Sequence, residues 1–432
     1  MWHTMVSNYG SITHALTNTD KRKEGDDIKP ESSQNRPVLK AGQSSSLVLK
    51  AALICLIVVV SILLSAQSQT GYLAQASFNS IVQPSILKTP NSAMNPDLTY
   101  PHRPFGTRNG RNVTLPVLGF PSVALARLSD PSDQSIANKA VRHAVEDLGI
   151  AYFDVAPEYG DGVAQERLGP ALKPYRHRVF LAAKTMFRDA EGSAEDLTNT
   201  LRALQTDHLD LYQFHSISTE RDVDEILQKG GAMETFQKAK AEGKIKAIGF
   251  SAHSEEMAVR MIETGLVDTV MFPINFVAYH YGGIGKLVLE AAIQNQVGVI
   301  ALKAGARGRL TNVTGNAVHV PDHFEHIPEW KRQEMIKYPV RTSKTHPTCW
   351  YEPEDDPVEL NKLILWALNQ PGVTAVLPPG SLDLLDGISS MLRGKTEVPP
   401  FDDADMQHML LRYENIVPIF HNRDVSGTKV ST

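Results

Sequence analysis

The chain has 432 residues, more than one average domain needs, and 42% of them are hydrophobic, the ordinary balance of a globular protein with a large core. Its formal charge is only −5 and no long basic run occurs in its second half, which argues against nucleic acid as a partner. Two cysteines, Cys55 and Cys349, are too few for a disulfide framework or a cysteine-based zinc or iron–sulfur site.

Residues 1–46 are polar and mixed in charge, with Lys21, Arg22 and Lys23 followed by Glu24, Asp26 and Asp27. They carry no apolar period and read as a disordered tail. Residues 47–66, Leu47 to Ala66, differ sharply. From Ala51 to Leu64 there is no charge, and with Leu47, Val48 and Leu49 the run approaches the roughly 20 residues that cross a bilayer, interrupted by Lys50. Arg36, Lys40 and Lys50 lie upstream, and no charge follows until Lys88. The expectation is a single-pass transmembrane signal anchor, with the tail in the cytosol and the folded domain on the non-cytosolic side. A cleaved signal peptide ending near Ala66-Gln67-Ser68 is the alternative. A buried soluble helix fits less well, since no polar face is visible. Residues 67–104, rich in Ser, Gln, Asn and Pro, read as a linker.

Residues 105–425 alternate short apolar runs with amphipathic stretches. Thr107 to Thr114 reads as a hairpin turning at Asn109-Gly110. The candidate strands that follow are Val117–Phe120, Ala151–Phe153, Val179–Ala183, Leu209–Phe214, Ile245–Phe250, Thr269–Phe272, Val297–Leu302 and Val373–Leu377. Helical stretches between them include Ser135–Leu148, Ser193–Leu204, Ala232–Glu242 and Glu255–Glu263. About eight strand–helix repeats point to an α/β fold, a closed (β/α)8 TIM barrel, with an open doubly wound sheet as the alternative. After the seventh strand, about residues 311–357 form an irregular insertion dense in His, Pro and aromatics.

In a parallel barrel, chemistry sits at the C-terminal ends of the strands. The second run ends in Asp154, with Tyr159 in the following loop; the third ends in Lys184, the fourth in His215, the fifth in Ser251. One such residue could be a plain loop-start charge or helix cap. Together they suit carbonyl reduction, which needs a proton donor for the developing alkoxide. A phenol can be that donor. A nearby cation, Lys184, could lower its pKa from about 10. Asp154 could hold Lys184, and His215 could bind the substrate oxygen.

The same residues carry a family resemblance. Phe153-Asp154-Val155-Ala156-Pro157-Glu158-Tyr159-Gly160, followed by Glu166 and Leu168-Gly169, is similar to the aldo/keto reductase signature around its catalytic aspartate and tyrosine. Ala183-Lys184-Thr185 resembles the family's lysine strand, Asp210 to His215 its histidine strand, and Gly243 to Ser251 the next one. The resemblance covers about residues 106–390. It implies a catalytic tetrad of Asp154, Tyr159, Lys184 and His215, with Tyr159 as proton donor. It also implies NADPH, or alternatively NADH, bound without a Rossmann fold; Gly282-Gly283-Ile284-Gly285 lacks the third glycine of a dinucleotide loop. Ser251 would hold the nicotinamide amide. Asn275 keeps a Pro-x-Asn element with Pro273. Lys303 lies in Leu302-Lys303-Ala304-Gly305, which resembles a branch with Ala-x-Lys after the seventh strand. Gly380 and Ser381 follow the eighth. Three departures stand out: Ala252 and His253 follow Ser251, Met271 replaces a glutamine, and Pro378 to Asp383 lacks the arginine expected as a 2′-phosphate clamp.

The histidines of the insertion (His319, His323, His326, His346) do not show metal-ligand spacing and read as solvated loop residues, so no metal is expected. Trp350 and Tyr351 could wall a substrate pocket or pack in the core. Asn112-Val113-Thr114 and Asn312-Val313-Thr314 are glycosylation sequons. The expected function is NAD(P)H-dependent reduction of an aldehyde or ketone, or oxidation of the matching alcohol. The alternatives are a cofactor-binding, membrane-associated barrel with little turnover, and a hydrolase using Asp154 and His215. No oligomeric state is legible.

Overall fold

The structure, a computed structural model, describes residues 98–106, 114–127, 133–310 and 343–420. All fall within Ser80–Thr432, the second of two units into which the chain divides. Strands β1 (His102–Pro104) and β2 (Thr114–Pro116) form an antiparallel ribbon. Seven parallel strands follow: β3 (Gly119–Pro121), β4 (Tyr152–Asp154), β5 (Phe180–Thr185), β6 (Leu209–Ile217), β7 (Ile245–Ala252), β8 (Thr269–Phe272) and β9 (Gly298–Leu302). A small antiparallel pair, β10 (Ala306–Gly308) with β11 (Glu352–Pro353), precedes β12 (Val373–Leu377).

Strand order runs β12, β9, β8 and so on down to β3. A parallel bridge between Leu118 and Val376, with the Val376 amide donating to Val117 O at 2.9 Å, joins first to last. The sheet is therefore a closed eight-stranded barrel, as expected, and not an open doubly wound one. Its strands are mostly apolar because each has one face toward helices and the other toward the interior. The interior holds Tyr152, Ala182, Leu211, Ala247, Met271, Ile300, Leu302, Ala375 and Leu377. Met271, where the resemblance led one to look for a glutamine, is thus a core side chain.

The expected helices form where their caps allow. Glu255–Glu263 starts at Ser254, whose hydroxyl accepts from the Met257 amide. Ala190–Ala203 begins three residues earlier than the apolar period suggests, because Asp189 caps it at Gly192. Gln134–Arg142 passes into a π-helical turn over His143–Asp147. The ribbon plugs the N-terminal end of the barrel. Phe105 and Leu115 join the interior cluster, and Arg103 Nη1 donates to Leu368 O at 2.5 Å and to Val373 O at 2.8 Å. Tyr100, upstream of residue 105, is buried and donates to Leu148 O at 2.7 Å. The ribbon's turn, Asn109-Gly110, lies outside the described residues, as do both sequon asparagines, Asn112 and Asn312, and residues 311–342 of the insertion.

The membrane expectation needs correction. Among the described residues no helix is long and apolar enough to cross a membrane. The longest, Ala190–Ala203, has 14 residues, against the roughly 20 that a span requires. Residues 47–66, the expected signal anchor, lie outside the described residues. Nothing among the described residues supports a membrane-spanning segment, a single-pass topology or a barrel on the non-cytosolic side.

Candidate active site

Three adjacent strands aim their last inward residues at the C-terminal rim. Asp154 ends β4 two residues after the interior Tyr152. Lys184 stands two beyond the interior Ala182 on β5, and pairs in register with Gln213 of β6. His215 follows two residues later, but the register of β6 on β7 shifts between Phe214 and Ile217. This bulge at His215-Ser216 turns the imidazole into the rim. Ser216 has φ +59°, a conformation held by its neighbours. Arg188 Nη2 donates to His215 O at 2.7 Å, and the Ser216 amide donates to Ser251 Oγ at 2.8 Å. Arg188 is itself fixed by a fully buried ion pair with Asp222 at 2.8 Å.

Tyr159 comes from the loop after β4. Gly160 next to it has φ +65°, and a Cβ there would sit 2.8 Å from Ala126 Cβ, so the turn needs glycine. Lys184 Nζ then lies 3.1 Å from the Tyr159 hydroxyl and donates to Val155 O at 3.3 Å, while it also ion-pairs with Asp154. Lys184 and Asp154 are each 1% exposed. The other Asp154 oxygen accepts from Gln213 Nε2 at 3.1 Å. Gly249 leaves room for Gln213: a Cβ there would meet Thr269 Oγ1 at 2.3 Å and Gln213 Cγ at 3.2 Å. His215 stands edge-on to the Tyr159 ring, with centroids 6.0 Å apart. Its Nδ1 is 2.6 Å from Glu158 Oε2. The structure thus brings all four expected tetrad residues together and adds Glu158 and Gln213, which the sequence reading missed. Glu158 precedes Tyr159 in the motif, and Gln213 lies two residues before His215; that adjacency was the available signal.

The electrostatics correct one expectation. Burial pushes the Tyr159 phenol up, and the Lys184 ammonium only partly offsets it, with Asp154 adding to the rise. The net direction is upward, not downward. For Lys184, burial disfavours the charge, but the Asp154 carboxylate and the phenol oxygen outweigh burial and raise its pKa. His215 is lowered by burial despite Glu158. At neutral pH the site therefore holds a protonated phenol, a charged lysine and a neutral imidazole whose Nδ1–H faces Glu158. Asp196 lies nearby and is held up at about 7 by burial, with Glu158 contributing.

The five residues expected at the cofactor are placed less simply. Ser251 ties down the His215 bulge. Asn275 is fully buried; its Nδ2 reaches Lys303 O at 3.1 Å, Ala304 O at 3.3 Å and Ala306 O at 2.7 Å, and its Oδ1 accepts from the Ala278 amide. It builds a turn rather than facing the rim. Lys303 heads that turn, with Nζ 2.8 Å from His253 Nε2. Gly380 and Ser381, after β12, are covered by the described part of the insertion. Thr348 donates to Gly380 O, and His346 Nδ1 meets Ser381 Oγ at 2.9 Å while its Nε2 meets Asp355. A cleft of about 580 Å³ lies at the opposite end of the barrel, beside Arg103 and Gly298. Its one charged lining group, Arg103, is engaged by backbone carbonyls, so it offers no comparable chemistry.

A family model described as the aldo/keto reductase family matches residues 118–381. The chain belongs to the aldo/keto reductase family. Its catalytic class is therefore that of aldo-keto reductases, oxidoreductases of aldehydes and ketones. Aldo-keto reductase YhdN of Bacillus subtilis is 28% identical over 276 residues, which cover 60% of this chain and 80% of that protein. Methylglyoxal reductase YeaE of Escherichia coli is 32% identical over 211 residues, covering 46% and 68%. An aldo-keto reductase from Klebsiella pneumoniae, solved in complex with NADPH, superposes with a TM-score of 0.51 at 18% identity. It covers 77% of this chain and all of that one, a likeness that shows the fold.

Proposed function

We propose that this aldo-keto reductase reduces a small aldehyde or ketone with NADPH, and that Tyr159 delivers the proton. The observation that carries the reading is the Lys184 ammonium set between Asp154 and the Tyr159 hydroxyl, 3.1 Å away, beneath an imidazole from the neighbouring strand. A proton donor of this kind implies a separate hydride source, because no side chain gives hydride. NADPH is favoured by the Klebsiella structure solved with it and by a relative named for NADP(+), aldo-keto reductase yakc of Schizosaccharomyces pombe, 29% identical over 254 residues. The residues present fit such a group in part. Ser251 lies at the rim beside the tetrad, and Gly380 and Ser381 lie after the eighth barrel strand. There His346 is the basic side chain, where an arginine is missing. Held there, NADPH would be the source of the hydride that reduction of the carbonyl carbon requires.

The chain's own residues do the rest. Tyr159 donates its proton to the carbonyl oxygen as negative charge develops there. Its raised pKa keeps that proton in place until then. Lys184 stabilises the resulting phenolate at short range, and Asp154 with Gln213 holds Lys184 in line. His215, with its Nδ1–H given to Glu158, presents a bare Nε2 that accepts a hydrogen bond from the new hydroxyl. Tyr159→Phe tests the reading. Turnover should fall by about 10²–10⁴-fold, with NADPH affinity, read by fluorescence titration, changed by less than about twofold. Undiminished turnover sinks the tetrad.

A further inference from the structure

His143, away from the tetrad, has a carboxylate against each ring nitrogen. Its Nδ1 lies 2.9 Å from Asp147 Oδ2 and its Nε2 2.8 Å from Asp386 Oδ1. A neutral imidazole carries one N–H, and an ionised carboxylate can only accept. Only the imidazolium therefore satisfies both contacts. His346 differs, because one of its nitrogens meets the Ser381 hydroxyl, which can donate or accept, so a neutral ring suffices there. The two contacts of His143 also differ from each other. Asp147 closes the π-helical turn that begins at His143, so that contact is local. Asp386 is 243 residues further along, in the first turn of the helix Leu385–Leu392.

That helix begins without a side-chain cap, since Leu384 stands at the N-cap position. Its leading amides lack the partner that Ser, Thr, Asp or Asn would give. Its later part is held in other ways. Leu385, Ile388 and Leu392 are buried, and the Tyr100 hydroxyl lies 2.6 Å from Ser389 Oγ. Ahead of the helix, the Leu384 amide donates to Ser381 O at 3.3 Å, so the uncapped turn leads directly back to Gly380–Ser381. Asp147 and Asp386 are the carboxylates facing the imidazole. Arg393, just past the helix, donates to Asp147 O at 3.4 Å. The Tyr100 phenol, pushed up to about 12 by burial, stays protonated beside Asp386 and Arg393. Arg142 and Glu146 on the helix and turn that carry His143 are exposed, and Glu146 accepts from the Tyr175 hydroxyl at 2.7 Å. We propose that His143 is a proton-operated latch: charged, it ties the uncapped first turn of Leu385–Leu392 to the π-turn; neutral, it lets that turn, and the Gly380–Ser381 segment ahead of it, loosen. The Asp386 hydrogen bond, with that of Asp147, holds His143 above its ordinary 6.5 against the effect of burial. A group raised on folding contributes fully below its unfolded pKa and loses that contribution as pH rises through the folded one. The latch therefore opens above pH 6.5. Its reach to the cofactor rests on the reductase reading; the latch itself does not.

The test is amide hydrogen exchange on the full chain without cofactor, at pH 5.5 and 8.5, corrected for the intrinsic dependence of exchange on pH. Protection across Leu382–Leu392 should fall by about two- to fivefold between the two, the worth of one half-exposed ionic contact. The strand Thr269–Phe272 should keep its protection. In His143→Gln the helix should be loose at both pH values, with no step between them. Asp386→Asn should also lose the step, because one carboxylate can be served by a neutral ring; it decides the matter if His143→Gln fails to fold. A step that survives either substitution overturns the latch, as does equal protection at the two pH values in the parent protein. NADPH affinity, read by fluorescence titration, should weaken with pH by about two- to fivefold more in the parent than in His143→Gln. Titration of the cofactor itself is common to both proteins and cancels in that ratio. A His143-dependent step in exchange with no difference in NADPH affinity keeps the latch and overturns its reach to Gly380–Ser381. Loss of the reductase reading, shown by no turnover of any carbonyl, leaves the exchange result unaffected.

Discussion

At the scale of single residues, the site is governed by how burial and neighbouring charge divide the protons. Tyr159 lies above its ordinary pKa of 10.0 and His215 below its ordinary 6.5. Two limbs follow for carbonyl reduction. The alkaline loss of activity from Tyr159 should fall above pH 10, since only there does the phenol part with its proton. The acid limb should come from His215, which is neutral above its depressed pKa and becomes imidazolium as pH drops through it. Glu158 is the group that holds His215 up against burial. Glu158→Gln should therefore move the acid limb of kcat/KM downward by about one pH unit. A full pH–rate profile of both proteins checks this; coincident acid limbs would remove Glu158 from the mechanism. Asp154, Lys184, His215 and Tyr159 were legible in the sequence because each closes or follows an apolar run. The direction of the phenol's shift was not, because it depends on how much water the fold excludes, and no motif states that.

At the scale of elements, the sequence showed the strands well and the irregularities poorly. Thr269–Phe272 and Val373–Leu377 end where their apolar runs end. The bulge at His215-Ser216 was invisible, since one extra residue reads as plain continuation of a strand. It exists because Phe214 and Ile217 both keep partners on β7 while Arg188 and Ser251 hold the residues between. Asn275 teaches the same lesson. A motif position suggested cofactor contact, whereas the structure spends its amide on three carbonyls of the 303–306 turn. Removing it leaves buried acceptors without a donor, at about 1–3 kcal/mol for an unsatisfied group. Asn275→Ala should therefore lower unfolding free energy in urea by about 2–3 kcal/mol. An Asn275→Ala protein as stable as the parent would mean the turn is held by something else.

At the scale of the whole molecule, chemistry and closure occupy opposite ends of the barrel. The rim carries the titratable groups, and the N-terminal end is sealed by the β1–β2 ribbon through Phe105 and Leu115. Leu115 is fully buried. Leu115→Ala should cost about 2–5 kcal/mol by the cavity it leaves. KM for the carbonyl should stay within about twofold, because no rim residue moves. A stability loss below 1 kcal/mol in thermal or urea unfolding would mean the ribbon is a passive cover.

The placement of that ribbon bears on the order in which the protein is made. Arg103 leaves the ribosome early, yet one of its carbonyl partners, Leu368 O, is 265 residues further along. Leu118 likewise waits for Val376. At roughly 5–20 residues per second of synthesis, the outer edge of the first barrel strand and its apolar plug stay unpartnered for on the order of ten to fifty seconds. During that interval β3 is an open sheet edge, a template for the wrong chain. The nascent protein is thus most exposed to aggregation before its last strand appears, and holding factors on the translating ribosome should matter more for its yield than the stability of the finished barrel.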